Sequence, residues 1–117
     1  MAQRTDRAAS FGQNLYLDTR GAAGKPVPFP AAVVNGLAAG GGLYVPQELP
    51  TMTVEEITAL ASLPYAERAA TVYKAFNIDL PDSTIDELMS RAYGGNFDDA
   101  AVCPITSLDE STHILEL

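Results

Sequence analysis

A chain of 117 residues has room for one domain and none for a second, and it is long enough to bury a modest core. A net charge of −8, with seven Lys and Arg scattered along the chain, argues against nucleic acid, whose binding depends on basic side chains displacing counterions. Hydrophobic residues at 47% without a low-complexity tract argue against a disordered tail, and no apolar run reaches membrane-spanning length.

Residues 1–13 are small, polar and charged without periodicity, which predicts a flexible N-terminal segment ahead of a single domain over 14–117. Residues 14–20 read as a strand in which Leu15 and Leu17 alternate with Tyr16 and Asp18, ended by Gly21. A loop over 22–28 leads to a first helix over 31–39, with Pro28 or Pro30 at its first turn and Val33, Val34 and Leu37 on one face. Three consecutive glycines, Gly40 to Gly42, then cap that helix and reverse the chain. They feed an extended run from Leu43 to Val45 that is closed by Pro46.

Thr53, three residues ahead of Glu56, is a capping-box signal for a helix whose apolar face is Ile57, Leu60 and Leu63. Pro64 ends it and opens the next, with Ala69, Val72, Tyr73 and Phe76 inward and Glu67, Arg68 and Lys74 outward. Residues 78–81 read as a linker. Ile85, Leu88, Met89, Ala92 and Tyr93 then recur at helical spacing, with Ser83 or Thr84 as cap and Gly94 and Gly95 as stop. Beyond a loop over 96–110, with an extended piece at 102–105, residues 112–117 form a last strand. Its expected partner is the first strand. The fold class is therefore α+β, mostly helical, with about four short helices and a small sheet formed by the N- and C-terminal strands.

The run from Gly36 through Gly41, Gly42, Leu43, Tyr44 and Val45 to Pro46 closely resembles the signature of the threonine synthase N-terminal domain, with Gly40 where the family usually carries an acidic residue. Residues 15–21, ending Thr19-Arg20-Gly21, resemble that family's opening strand, and residues 29–37 its first helix. Residues 53–57, 76–81 and 92–97 follow in the family's order. The resemblance implies a structural N-terminal piece of a pyridoxal 5'-phosphate enzyme that converts O-phospho-L-homoserine and water to L-threonine and phosphate, a carbon–oxygen lyase of threonine biosynthesis. It also implies that the catalytic core continues past a matching Leu-Glu-Leu, so a cut fragment, inactive alone and without its own cofactor, is expected. Thr19 and Arg20 are then expected at the edge of the substrate pocket.

No residue of the chain itself stands out as catalytic, cofactor-binding or metal-ligating. Pyridoxal phosphate needs a lysine in a phosphate cradle, whereas Lys25 sits in a Pro-rich loop and Lys74 on the polar side of a helix. The triple glycine follows a helix, while a phosphate loop opens one. His113 with Asp109 and Glu110 reads as a terminal-strand histidine. Asp79, Asp82, Asp86 and Glu87 lack calcium-loop spacing, and Asp98 and Asp99 form a loop pair. Cys103 is the only cysteine; it has no activating base nearby, and no disulfide or cysteine-based zinc site can be assembled. A rival reading is a carrier module with Asp82-Ser83 opening a helix, although Thr84 replaces the leucine such proteins carry; a helical interaction module is a third. The expected partners are the catalytic core of the same polypeptide and, through an exposed apolar patch or strand edge, a second copy of the fragment; no nucleic acid or membrane is expected. Without a secretion signal, the location expected is cytoplasmic.

Overall fold

The computed structural model describes residues 13–21 and 24–117. The flexible segment expected over 1–13 therefore lies, apart from Gln13, outside the described residues. Nine elements follow in order: β1 (Leu15–Asp18), β2 (Val27–Pro28), α1 (Phe29–Asn35), β3 (Tyr44–Pro46), α2 (Val54–Leu60), α3 (Tyr65–Ala75), α4 (Asp82–Tyr93), β4 (Ile105–Ser107) and β5 (His113–Leu115). The fold is α+β, with four helices and two small antiparallel sheets among the described residues. The residues group into two compact units, one running to Thr51 and including Ala75–Asp79, the other made of Met52–Lys74 and Leu80–Leu117.

In the first unit β1 is the middle strand of the order β2-β1-β3, opposing Leu15 to Pro28 on one edge and Leu17 to Val45 on the other. Tyr16 is the side chain that β1 buries, and its ring meets Phe29 with centroids 5.6 Å apart. Both edges of β1 are thus occupied, and the expected pairing with the C-terminal strand does not occur. That strand, β5, pairs with β4 instead, Ile105 opposite Leu115 and Ser107 opposite His113. The reason is local: Asp109 Oδ1 accepts the amides of Ser111 (2.9 Å) and Thr112 (2.8 Å), and Leu108 N–H donates to Thr112 O, which builds a tight turn. Closing so short a loop costs far less chain entropy than bringing together strands at opposite ends of the sequence.

Helix α1 begins and ends earlier than its apolar spacing predicts. Pro28 is its N-cap, with Pro30 inside the first turn, and Gly36, not the triple glycine, stops it. Gly36 has φ +70° and ψ −76°, and Leu37 N–H donates to Asn35 O across it at 2.9 Å, a γ-turn that strains any residue with a Cβ. The face turned inward is also different: Ala32 is buried, whereas Val33 and Leu37 are each 62% exposed and Val34 86%. Ile78, read as linker, is a core residue of this unit at 6% exposure, joined by Tyr16, Ala32 and Ala38.

In the second unit the capping box is present in both directions. Thr53 Oγ1 accepts Glu56 N–H, and Glu56 Oε2 accepts Thr53 N–H at 2.7 Å. Helix α2 buries none of its residues, so Ile57 is exposed rather than inward. Arg68, expected merely outward, folds back to donate to Leu63 O and Ala61 O, supplying a cation and donors to the carbonyls at the end of α2. On α3 the buried residue is Ala70, Tyr73 is half-buried and Val72 is exposed; Phe76, just past the end of α3, groups with the first unit and is half-buried. Lys74 is half-buried and pairs with Asp86 of α4 at 2.6 Å.

Helix α4 starts on Asp82 with Pro81 as N-cap and no side-chain cap, so neither Ser83 nor Thr84 fills the expected role. The extended backbone of Pro81 makes the break, and its carbonyl accepts from Thr84 and Ile85. Ile85 faces the core at 2% exposure. Tyr93 stacks on Phe97 and meets Tyr65 with centroids 5.0 Å apart. Among the described residues no helix is long and apolar enough to cross a membrane.

Candidate functional site

The most constrained spot is where the end of β1 meets the glycine loop. Residues 18–21 form a turn in which Gly21 N–H donates to Asp18 O (3.1 Å) and Asp18 Oδ1 accepts the amide of Arg20 (2.9 Å). An aspartate closing its own backbone two residues on favours a turn at this place over a longer strand. Across from it, Gly41 N–H donates to Ala38 O and Ala38 N–H to Gly42 O, folding residues 38–42 into a compact reversal. Thr19 fastens the two pieces. Its amide donates to Leu43 O, and its Oγ1 accepts Leu43 N–H, both at 2.9 Å.

The glycines here are required by approach. A Cβ on Gly42 would overlap Asp18 Oδ1 and stand 2.8 Å from Thr19 Oγ1 and 3.0 Å from Arg20 N. Gly41, at φ +76°, leaves space against which the Arg20 guanidinium lies; a Cβ there would be 3.2 Å from Nη1. Arg20 is exposed and takes part in no ion pair among the described residues. The result is an anchored turn that presents a fork of N–H donors, a shape suited to a carboxylate or phosphate. Asp18 Oδ2 is shielded from solvent and makes no hydrogen bond among the described residues.

The rest of the glycine motif is spread around this contact. Tyr44 OH accepts from Asn35 Nδ2 at 3.3 Å, Pro46 lies opposite Tyr16, and the side chains of Leu43 and Val45 are exposed. Sequence reasoning missed two residues. The alternation over residues 15–18 gives Asp18 only a strand position, although an acidic residue ahead of a glycine is a turn signal. Asn14 clamps the far end of β3, its Nδ2 donating to Glu48 O (2.8 Å) and its Oδ1 accepting Glu48 N–H (3.2 Å). No local pattern announces a partner so distant in sequence.

The other candidates are dispersed or already engaged. Lys25 is exposed, and Lys74 is paired with Asp86. His113 Nδ1 and Ser107 Oγ are 2.9 Å apart on an exposed hairpin. The Asp109 carboxylate is occupied with its turn. The backbone hydrogen bond from Ser111, followed by bonds from Thr112, holds it below the usual carboxylate range. Glu87 lies 3.8 Å from Arg91, Asp99 accepts from Ala101 N–H, and Asp79, Asp82, Asp98 and Glu110 are exposed. No group of three His, Cys, Asp or Glu among the described residues is placed to hold a metal.

Cys103 is half-buried with its Sγ 3.7 Å from Tyr65 OH, and this contact, with burial next, raises the Tyr65 pKa. Ser83 is exposed in the first turn of α4. An open depression of about 400 Å³ on α2 is lined by Val54, Glu55, Thr58 and Ala59. Thr58 Oγ1 is already donating to Val54 O there, and no convergent polar set forms.

Comparison with known proteins bears on the glycine-loop unit directly. The family model described as threonine synthase N terminus matches residues 15–93. The threonine synthase of Pseudomonas aeruginosa is 38% identical over 103 residues, covering 87% of this chain and 22% of that protein. Threonine synthase-like 1 of Mus musculus is 38% identical over 95 residues, covering 79% of this chain and 13% of that protein. A crystal structure of PLP-bound threonine synthase from Brucella melitensis superimposes with a TM-score of 0.77 at 38% identity, over 89% of this chain and 22% of that one. The chain thus spans about a fifth of the length of the threonine synthases it matches.

Proposed function

Because this chain belongs to the threonine synthase N-terminus family, we propose that it serves as the N-terminal part of a threonine synthase, the enzyme that turns O-phospho-L-homoserine and water into L-threonine and phosphate. One observation carries the reading: the superposition on the Brucella melitensis enzyme extends over 89% of this chain at 38% identity. Lys25 is exposed and Lys74 is paired with Asp86, which supports assigning the cofactor chemistry to other polypeptide, with this chain contributing structure. Its partner is the catalytic core. Thr19 sets the turn, and Arg20 offers its guanidinium at the rim of the substrate pocket.

The test is a chimera in which this chain replaces the matching N-terminal segment of the Pseudomonas aeruginosa enzyme. Turnover of O-phospho-L-homoserine by the chimera, with none by the 117-residue chain alone, is the expected result. A chimera that folds and binds pyridoxal phosphate but gives no threonine would overturn the reading.

A further inference from the structure

The outward face of the helix-and-glycine-loop segment is too apolar for a surface that stays in water. Val33 and Leu37 are 62% exposed, Val34 86% and Leu43 61%, all within one stretch that folds back on itself through the Ala38 to Gly42 hydrogen bond. Isolated exposed aliphatic residues are ordinary, but four in one short folded segment mark a covered face. Val33 and Val34 lie on α1 and Leu37 just past its Gly36 stop, and the core of this unit takes Ala32 and Ala38 instead. The small alanines let the segment lie close to the sheet and leave the larger side chains pointing away.

Leu43 ties the face to the candidate site. Its backbone is held by both bonds of Thr19, so its exposed side chain flanks the turn that presents Arg20. A partner covering this rim therefore combines an apolar surface with a carboxylate or phosphate opposite the guanidinium. A second copy of the chain is disfavoured by the net charge of −8, which sets like charges against each other on association. The matched threonine synthases carry nearly four-fifths of their length outside the region that corresponds to this chain, ample to supply such a cover.

We infer that Val33, Val34, Leu37 and Leu43 form the face on which the catalytic core of threonine synthase docks, an inference that rests on the function proposed above. The face is specified within the first unit alone, and the occupant is the polypeptide that carries the cofactor.

The experiment is thiol labelling. In a Cys103→Ser background, Val33→Cys and Leu37→Cys are made separately in the 117-residue chain and in the Pseudomonas aeruginosa chimera, and reaction with a water-soluble maleimide is timed. Both thiols should label rapidly in the 117-residue chain and at least about tenfold more slowly in the chimera, as burial of the face requires. Equal labelling rates in a chimera that turns over O-phospho-L-homoserine would overturn the docking face and leave the function standing. Protection in the 117-residue chain that disappears on dilution would assign the face to a second copy and overturn the inference. A folded chimera without turnover overturns the function itself and, with it, the inference.

Discussion

Two glycines at the site are required for different reasons, and substitution separates them. At Gly42 the obstacle is space: a methyl group meets Asp18, Thr19 and the Arg20 amide, so Gly42→Ala should cost about 2 kcal/mol by forcing the two backbones apart. Hydrogen exchange at the Thr19 and Leu43 amides should accelerate together, since these bonds hold the contact. At Gly36 nothing lies within 4 Å of a built Cβ, and the obstacle is the γ-turn backbone. Gly36→Ala should cost roughly 1–2 kcal/mol while leaving the Thr19 and Leu43 amides protected. Asp109 gives a pH dependence. Its folded pKa is depressed, so its contribution to the β4–β5 turn is present above the unfolded carboxylate pKa and lost as pH falls through the lower folded value. Amide resonances of Ser111 and Thr112 should shift on acidification through that range, and an Asp109→Asn variant should remove the transition.

At the scale of elements, legibility followed how local the cause was. The capping box at Thr53 and Glu56 could be read because all its atoms lie within four residues. Thr53→Ala should destabilise α2 by about 1 kcal/mol, seen as faster exchange at the amide of Glu56, which loses its acceptor. Because α2 buries none of its own residues, packing cannot compensate for a lost cap. The helix at residues 29–35 was legible in kind but not in orientation. Its apolar spacing points to Val33, Val34 and Leu37 as the inward face, whereas the folded chain buries Ala32. Likewise the last strand was recognisable, whereas its partner was decided by the Asp109 turn and by β1 having both edges filled.

For the whole molecule, the proposed role rests on a surface that leaves Val33, Val34, Leu37 and Leu43 exposed. Arg20→Ala should leave the stability of the 117-residue chain nearly unchanged, because the side chain is exposed and takes part in no ion pair among the described residues. In the active chimera it should lower kcat/KM for O-phospho-L-homoserine roughly tenfold, the value of one charge-assisted contact, on the proposal that Arg20 stands at the pocket rim. An unchanged kcat/KM would return Arg20 to a purely local role in its turn. By itself the sequence determined the family, through the order of its motifs from Leu15 to Phe97, and the helical content, through caps, prolines and periodicity that act over a few residues. Only the tertiary structure decided that Gly36 ends the first helix, that Ile78 belongs to a core, that β1 is a central strand, and that Val33, Val34 and Leu37 face outward. The physical reason is one of range. Local patterns state that a side chain is apolar or a backbone must turn, while the choice of what it packs against is settled by competition among contacts far apart in the chain.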